Sequence, residues 1–209
     1  MRLVDRLVGG IFAKPQPVTT RAGLAGFMDS RAAFLAQKCV VEFCRVRAGV
    51  YWQKLFSEKE FQEQLDLSRW RAYPPAFAMV AEMVEGALRE AAGIRQRRLP
   101  ELLTGLAGEV FSRYPVPAGE EPEFWALALG LVEEQLAGTQ AGPPRPVREM
   151  PKPMARAVFN VLPMHKDIVT NDYDYIFSNL RMNLLRAHED FLQAADLQAV
   201  ADSLFDADG

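Results

Sequence analysis

The sequence predicts an all-α protein, a single domain built as an irregular or orthogonal bundle of about seven to nine helices. Apolar residues recur at helical spacing in almost every segment, and no segment shows the sustained apolar–polar alternation of a strand. Prolines stand between many of the helical segments. The chain of 209 residues, of which 49% are hydrophobic and 24% charged, is long enough for one sizeable core.

The N-terminal 19 residues form an arm ahead of this domain. Residues 2–13 place six apolar side chains on one helical face, with Arg2, Asp5 and Arg6 opposite. A proline-containing link, residues 14–19, follows this amphipathic helix. We therefore divide the chain into an arm (1–19) and an α-helical domain (20–209).

The same spacing predicts the helices of the domain in chain order. They are expected at 20–27, 29–49, 58–72, 75–93, 100–114, 122–138, 154–161, 171–192 and 197–205. Residues 124–132 are apolar nearly all round, which marks their helix as a central one. Five prolines in residues 141–153 predict an extended connector.

Start and stop signals support several of these boundaries. Asp29 or Ser30 can cap a helix, and Ser57 with Glu60 has the spacing of a capping box. Pro74–Pro75 is expected to break the chain, with Pro75 in the first turn of the next helix.

The long helix near the C-terminus carries the most distinctive pattern of the chain. Its apolar residues form one seam, and a row of polar side chains lies in a single sector beside it. The members of this polar row are Asp172, Asn179, Asn183, Arg186 and Asp190. Asparagine is a mediocre helix former because its amide competes for backbone hydrogen bonds, so two asparagines one turn apart indicate a specific role.

Two interpretations of the polar row stay open. In the functional one, Asn179, Asn183 and Arg186 line a groove and hold a carboxylate, a phosphate or a partner's backbone, with the two aspartates orienting the arginine. In the structural one, the same side chains satisfy a polar network between helices. We favour the structural interpretation, because such networks often serve packing specificity alone.

The sequence offers no catalytic or metal-binding residues. His165, Asp167 and His188 lie near the two ends of the long helix, but no His-x-x-Glu pair places two ligands on one face. A nucleophile elbow and a glycine-rich phosphate loop are both missing. We therefore predict no metal and no cofactor.

The two cysteines, Cys39 and Cys44, stand five residues apart in one predicted helix. Their side chains point about 140° away from each other, which disfavours a shared disulfide or metal. Buried free thiols in a reducing compartment are the expected state.

Charge and hydropathy indicate which partners and which cellular location to expect. The net charge of −3 gives no reason to expect nucleic acid as a partner. Neither a transmembrane run nor a secretory signal is found, so a bacterial-type cytoplasmic location is the default. Contact of residues 2–13 with a membrane surface is the less favoured alternative to docking on protein.

These observations favour a non-enzymatic protein-interaction module such as an assembly factor, adaptor or regulator. It would bind a partner protein through residues 2–13 or through the groove beside Asn179, Asn183 and Arg186. The alternative is a helical-bundle enzyme or carrier that binds a small apolar or acidic ligand in a pocket lined by the same three residues. A pocket that Arg186 reaches would favour this alternative. Self-association as a homodimer is a third hypothesis.

Overall fold

The computed structural model describes residues 17–163 and 172–206, and these segments are almost wholly helical. The α-helices are α1 (Arg21–Ala48), α2 (Trp52–Ser57), α3 (Lys59–Ala92), α4 (Leu99–Phe111), α5 (Phe124–Ala137), α6 (Pro151–Asn160), α7 (Tyr173–Ala194) and α8 (Leu197–Asp206). Short 3-10 turns cover Gly49–Tyr51, Gly93–Arg98, Thr139–Ala141 and Val147–Glu149. Within the described segments no strand forms beyond an isolated bridge between Val18 and Ala195, so the all-α class is confirmed.

Helix α3 is the centre of the bundle. Every residue from Ala72 to Glu85 is buried, and α3 packs against α1, α4, α5, α6, α7 and α8. Four alanines in this stretch leave room for neighbouring helices to approach closely. The buried apolar side chains of all these helices form one core cluster, and burial of their apolar area is the main stabilising contribution.

The predicted break at Pro74–Pro75 is wrong, because α3 runs through both prolines without interruption. The two missing N–H groups remove two backbone hydrogen bonds of the helix. Both proline rings are buried, and so are all the residues on the C-terminal side as far as Glu85. Packing on every side therefore outweighs the local cost of the two prolines.

The predicted pair of helices at 20–27 and 29–49 is also one helix, α1. Its N-cap is Thr20, whose Oγ1 accepts a hydrogen bond from Gly23 N at 3.1 Å. The expected caps, Asp29 and Ser30, lie inside the helix. The predicted number of helices over the whole chain is not confirmed, because two predicted pairs are each continuous.

Three other local predictions need correction. The hydroxyl of Ser57 donates to the carbonyl of Lys54 and caps nothing, so the capping box does not form. Helix α5 is not central, since just three of its residues are buried and Leu127 is 71% exposed. Helix α6 begins at Pro151 rather than after the connector, because Pro151 and Pro153 fit its first turn.

Several predictions concern residues that the described segments do not include. The helix at 2–13 and the side chains of His165 and Asp167 all lie outside them, and the division into arm and domain stays a prediction. In the part of the chain that is described, no helix is long and apolar enough to cross a membrane.

Candidate functional site

The polar row of α7 lies along the seam between α1 and α7. Three of its residues meet α1 in order: Asp172 pairs with Arg47, Asn179 with Glu42 and Asp190 with Arg31. The Asn179 amide nitrogen lies 3.5 Å from Glu42 Oε2, and Arg31 Nη1 lies 3.1 Å from Asp190 Oδ2. Residue numbers fall along α1 as they rise along α7, so the two helices are antiparallel. The row is thus the polar edge of a helix–helix contact.

The two asparagines of the row bond chiefly to each other. Asn183 is buried at 4% exposure, and its amide nitrogen donates to the Asn179 carbonyl at 2.9 Å and to Asn179 Oδ1 at 3.0 Å. Its own side-chain oxygen is buried and accepts no hydrogen bond from a described residue. This geometry holds the two amides inside the helix contact, which supports the structural interpretation of these two residues.

Arg186 takes no part in the hydrogen bonds of the two asparagines. It is exposed, and its guanidinium forms no ion pair with any residue of the described segments. The register of the two helices places it opposite the turn of α1 that holds Lys38, whose charge is paired with Glu42 at 2.5 Å. The structure therefore brings Asn179 and Asn183 together and leaves Arg186 facing solvent.

A second, exposed face of α7 was missed by the sequence analysis. Tyr175, Met182, Leu185 and Leu192 are 39%, 57%, 37% and 47% exposed. At about 100° per residue Met182, Leu185 and Leu192 share one sector opposite the buried seam, with the polar Ser178 and Glu189 between them. Tyr175 lies at the edge of this sector, where its ring packs on Phe43 of α1 at 6.1 Å between centroids. Arg181 and Arg186 border this exposed stripe on its two sides. The spacing of three and seven residues between Met182, Leu185 and Leu192 was the available sequence signal.

A buried ionic network on α3 was also missed. Glu82 and Glu85 are 4% and 1% exposed. Arg145 of the connector clasps Glu82 through Nε at 2.8 Å and Nη2 at 2.5 Å, and Gln135 donates to the same carboxylate. Arg89 binds Glu85 and also donates to the carbonyls of Thr139 and Gly142. These hydrogen bonds and ion pairs hold the connector against the central helix α3.

The network borders a cavity of about 370 Å³ between α3, α5 and the connector. Each carboxylate is matched by an arginine, so the wall is close to neutral. Two further cavities, of about 530 and 610 Å³, lie beside the connector and beside the N-terminal half of α3. Arg186 lines none of these three cavities.

A third polar cluster joins α1, α3 and the end of α4. Buried Asp29 accepts hydrogen bonds from the Tyr73 hydroxyl at 2.7 Å and the Tyr114 hydroxyl at 2.8 Å. Burial, followed by the charge of Asp29, raises the pKa of Tyr73 well above its usual value. Tyr73 therefore stays protonated and serves as a donor that locks Asp29 in place.

Burial lowers the reactivity of the side chains that could act as nucleophiles, acids or bases. Burial raises the pKa of both Cys39 and Cys44 to about 12, and their burial as free thiols agrees with the prediction. Burial lowers the pKa of His188 despite the neighbouring Glu189. In the described segments, no group of three or more His, Cys, Asp or Glu side chains is arranged to hold a metal ion.

Comparison with protein-family models, with curated proteins and with solved structures finds no match to this chain.

Proposed function

We propose that the protein is a non-enzymatic cytoplasmic interaction module that binds a partner protein on the exposed stripe of α7. The observation that carries this proposal is the exposure of Met182, at 57%, with Leu185 and Leu192 on the same face. Apolar side chains that line up on one helix face and stay in water are typical of a protein-binding surface.

The dimensions and charges of the stripe favour an amphipathic helix as the bound element. From Tyr175 to Leu192 the stripe is about 25 Å long, at 1.5 Å per residue, which matches a helix of about four or five turns. Arg181 stacks on the Phe177 ring, and neither Arg181 nor Arg186 forms an ion pair with a described residue. A partner helix with acidic residues beside its apolar seam would supply the missing counter-charges.

The pocket alternative gains no support at the place where the sequence analysis located it. It required Arg186 to reach a cavity, and the three cavities described above are lined by other residues. Arg186 belongs instead to the border of the exposed stripe. This position favours the interaction proposal over a ligand carrier built on the polar row.

Site-specific photo-crosslinking in cells tests the proposal. A photoreactive amino acid at position 182 is expected to give one discrete crosslinked product, and the same amino acid at position 127 serves as the control. Leu127 is 71% exposed on α5, away from the stripe. With the captured partner purified, Met182→Glu should weaken binding at least tenfold and Leu127→Glu should leave it unchanged.

Two outcomes would overturn the proposed partner helix. Equal or absent crosslinking at both positions would remove the stripe as a binding surface. A crosslinked product of twice the chain mass, matched by light scattering of the purified protein, would show that the stripe joins two copies of this chain.

A further inference from the structure

A second surface, separate from α7, combines an indole with carboxylates. It is a groove of about 610 Å³ between the N-terminal half of α3 and the loop 115–119. Trp70, Leu67 and Pro117 supply its apolar wall, and Glu63 and Asp66 line it from the same helix. We refer to it as the Trp70 groove.

The indole of Trp70 is held in a fixed orientation by its neighbours. Its ring makes edge contacts with Tyr114 at 5.4 Å and with Trp125 at 5.9 Å between centroids. Trp125 is itself anchored by a hydrogen bond from its indole nitrogen to the Pro115 carbonyl at 3.1 Å. A rigid aromatic platform loses little conformational entropy when a ligand binds.

The indole N–H of Trp70 is an unused donor at this groove. It donates to no described residue, and it is not one of the fully buried side-chain atoms that lack a partner, so it keeps some contact with solvent. By contrast, the hydroxyls of Tyr73 and Tyr114 in the same aromatic cluster are both engaged by Asp29. Trp70 lines the groove, and a ligand that reaches the N–H edge of its indole would meet one donor, to which a peptide carbonyl is complementary.

The far wall of the groove is also rigid. Glu120 N donates to the Pro117 carbonyl at 3.1 Å, and Gly119 adopts φ of +86°. These features define a turn with glycine at its third position, where positive φ is required. Arg71 fixes the end of this loop through a hydrogen bond to Glu120 at 2.5 Å.

The charge of the groove is negative at the end away from Trp70. Asp66 is partly neutralised by Arg69, whose Nη1 lies 2.6 Å from Asp66 Oδ1. Glu63 is 65% exposed, and the one ion pair that it forms among the described residues, with Lys59, is long at 3.6 Å. Glu63 is therefore the carboxylate most available to a cationic ligand.

We propose that the Trp70 groove binds an extended, proline-rich segment of a partner protein that carries one arginine. A polyproline II segment has no internal hydrogen bonds, so its carbonyls are free to accept the indole N–H, and its rings pack on apolar walls. Glu63 stands seven residues before Trp70, which is about 10.5 Å along α3. At about 3.1 Å per residue, the arginine lies three or four residues from the proline whose carbonyl meets the indole.

NMR titration of the ¹⁵N-labelled full chain tests the proposal. The titrant is a synthetic peptide, acetyl-Pro-Pro-Leu-Pro-Pro-Arg, and the readout is the indole N–H signals of the three tryptophans. The Trp70 signal, assigned with Trp70→Phe, is expected to shift in a saturable manner while that of Trp52 stays in place. Glu63→Lys should weaken binding at least fivefold. Glu133→Lys makes the same charge change at an exposed site on α5 and should have no effect.

The control peptides decide what the groove recognises. Replacing the arginine by glutamate should weaken binding to the same degree as Glu63→Lys, and replacing the prolines by alanine should abolish it. An unshifted Trp70 signal, or equal binding of the alanine peptide, would overturn the proposal. Because Glu63 is exposed, Glu63→Lys keeps the fold intact. Met182→Glu on the α7 stripe should leave peptide binding unchanged. Failure of the Trp70 groove proposal can therefore be distinguished from failure of the α7 stripe proposal.

Discussion

At the scale of single residues, burial sets the chemistry of the two cysteines. Both thiols are fully buried and have pKa values of about 12, against an ordinary value of 9.0. At pH 8 both thiols therefore stay almost wholly protonated in the folded protein. We expect Ellman's reagent to label neither cysteine of the native protein at pH 8 within minutes, and both in 6 M guanidinium chloride. Rapid labelling of the native protein would show that α1 opens locally.

Residue positions within one helix were predictable, and their partners on other helices were not. Helical spacing correctly grouped Asp172, Asn179 and Asp190 on one side of α7. Their contacts with α1 cross more than a hundred residues of sequence, as the 137 residues between Glu42 and Asn179 illustrate. The pairing of Glu82 with Arg145 was missed for the same reason, since spacing within a helix carries no information on which distant residue faces it.

At the scale of the element, local sequence signals mispredict the end of a helix where neighbouring elements pack around it. Pro74 and Pro75 are strong helix breakers in isolation, yet α3 continues through them because its whole circumference is buried. The opposite error arose for α5, whose apolar sequence suggested a central helix although Leu127 faces solvent. The apolar content of a helix therefore does not fix how deeply it is buried, because the neighbouring elements decide this.

Two glycines inside helices allow the effect of helix propensity on stability to be distinguished from the effect of packing. An added Cβ at Gly105 of α4 meets no atom within 4 Å, whereas at Gly86 of α3 it lies 3.2 Å from the Cβ of Pro144. We expect Gly105→Ala to stabilise the fold by about 0.5–1 kcal/mol through helix propensity. Gly86→Ala should give no net gain, because the connector must shift to accept the methyl group. Urea unfolding followed by circular dichroism measures both, and equal gains would contradict the tight packing at Pro144.

At the scale of the whole molecule, the connector acts as a strap that closes one side of the bundle. It leaves the end of α5, crosses α3 at Gly86 and leads into α6. Arg89 and Arg145 hold it through backbone carbonyls and through Glu82. Of the two proposed binding surfaces, the stripe lies on α7, which packs against α3, and the Trp70 groove is formed by α3 itself and the loop 115–119.

The strap can be tested by a double-mutant cycle on Glu82 and Arg145. The Glu82 side chain is 5% exposed, so Arg145→Met leaves a buried carboxylate with Gln135 as its remaining side-chain donor. We expect this change to lower the free energy of unfolding by about 2–3 kcal/mol. Glu82→Met should cost less, because Arg145 is 37% exposed and its charge can turn to water. The double variant should be more stable than Arg145→Met alone, since no buried charge is left unpaired. If urea unfolding shows the two single costs simply adding, the ion pair does not fasten the strap. The hydrogen bonds from Arg89 and the contact of Pro144 with Gly86 would then hold it.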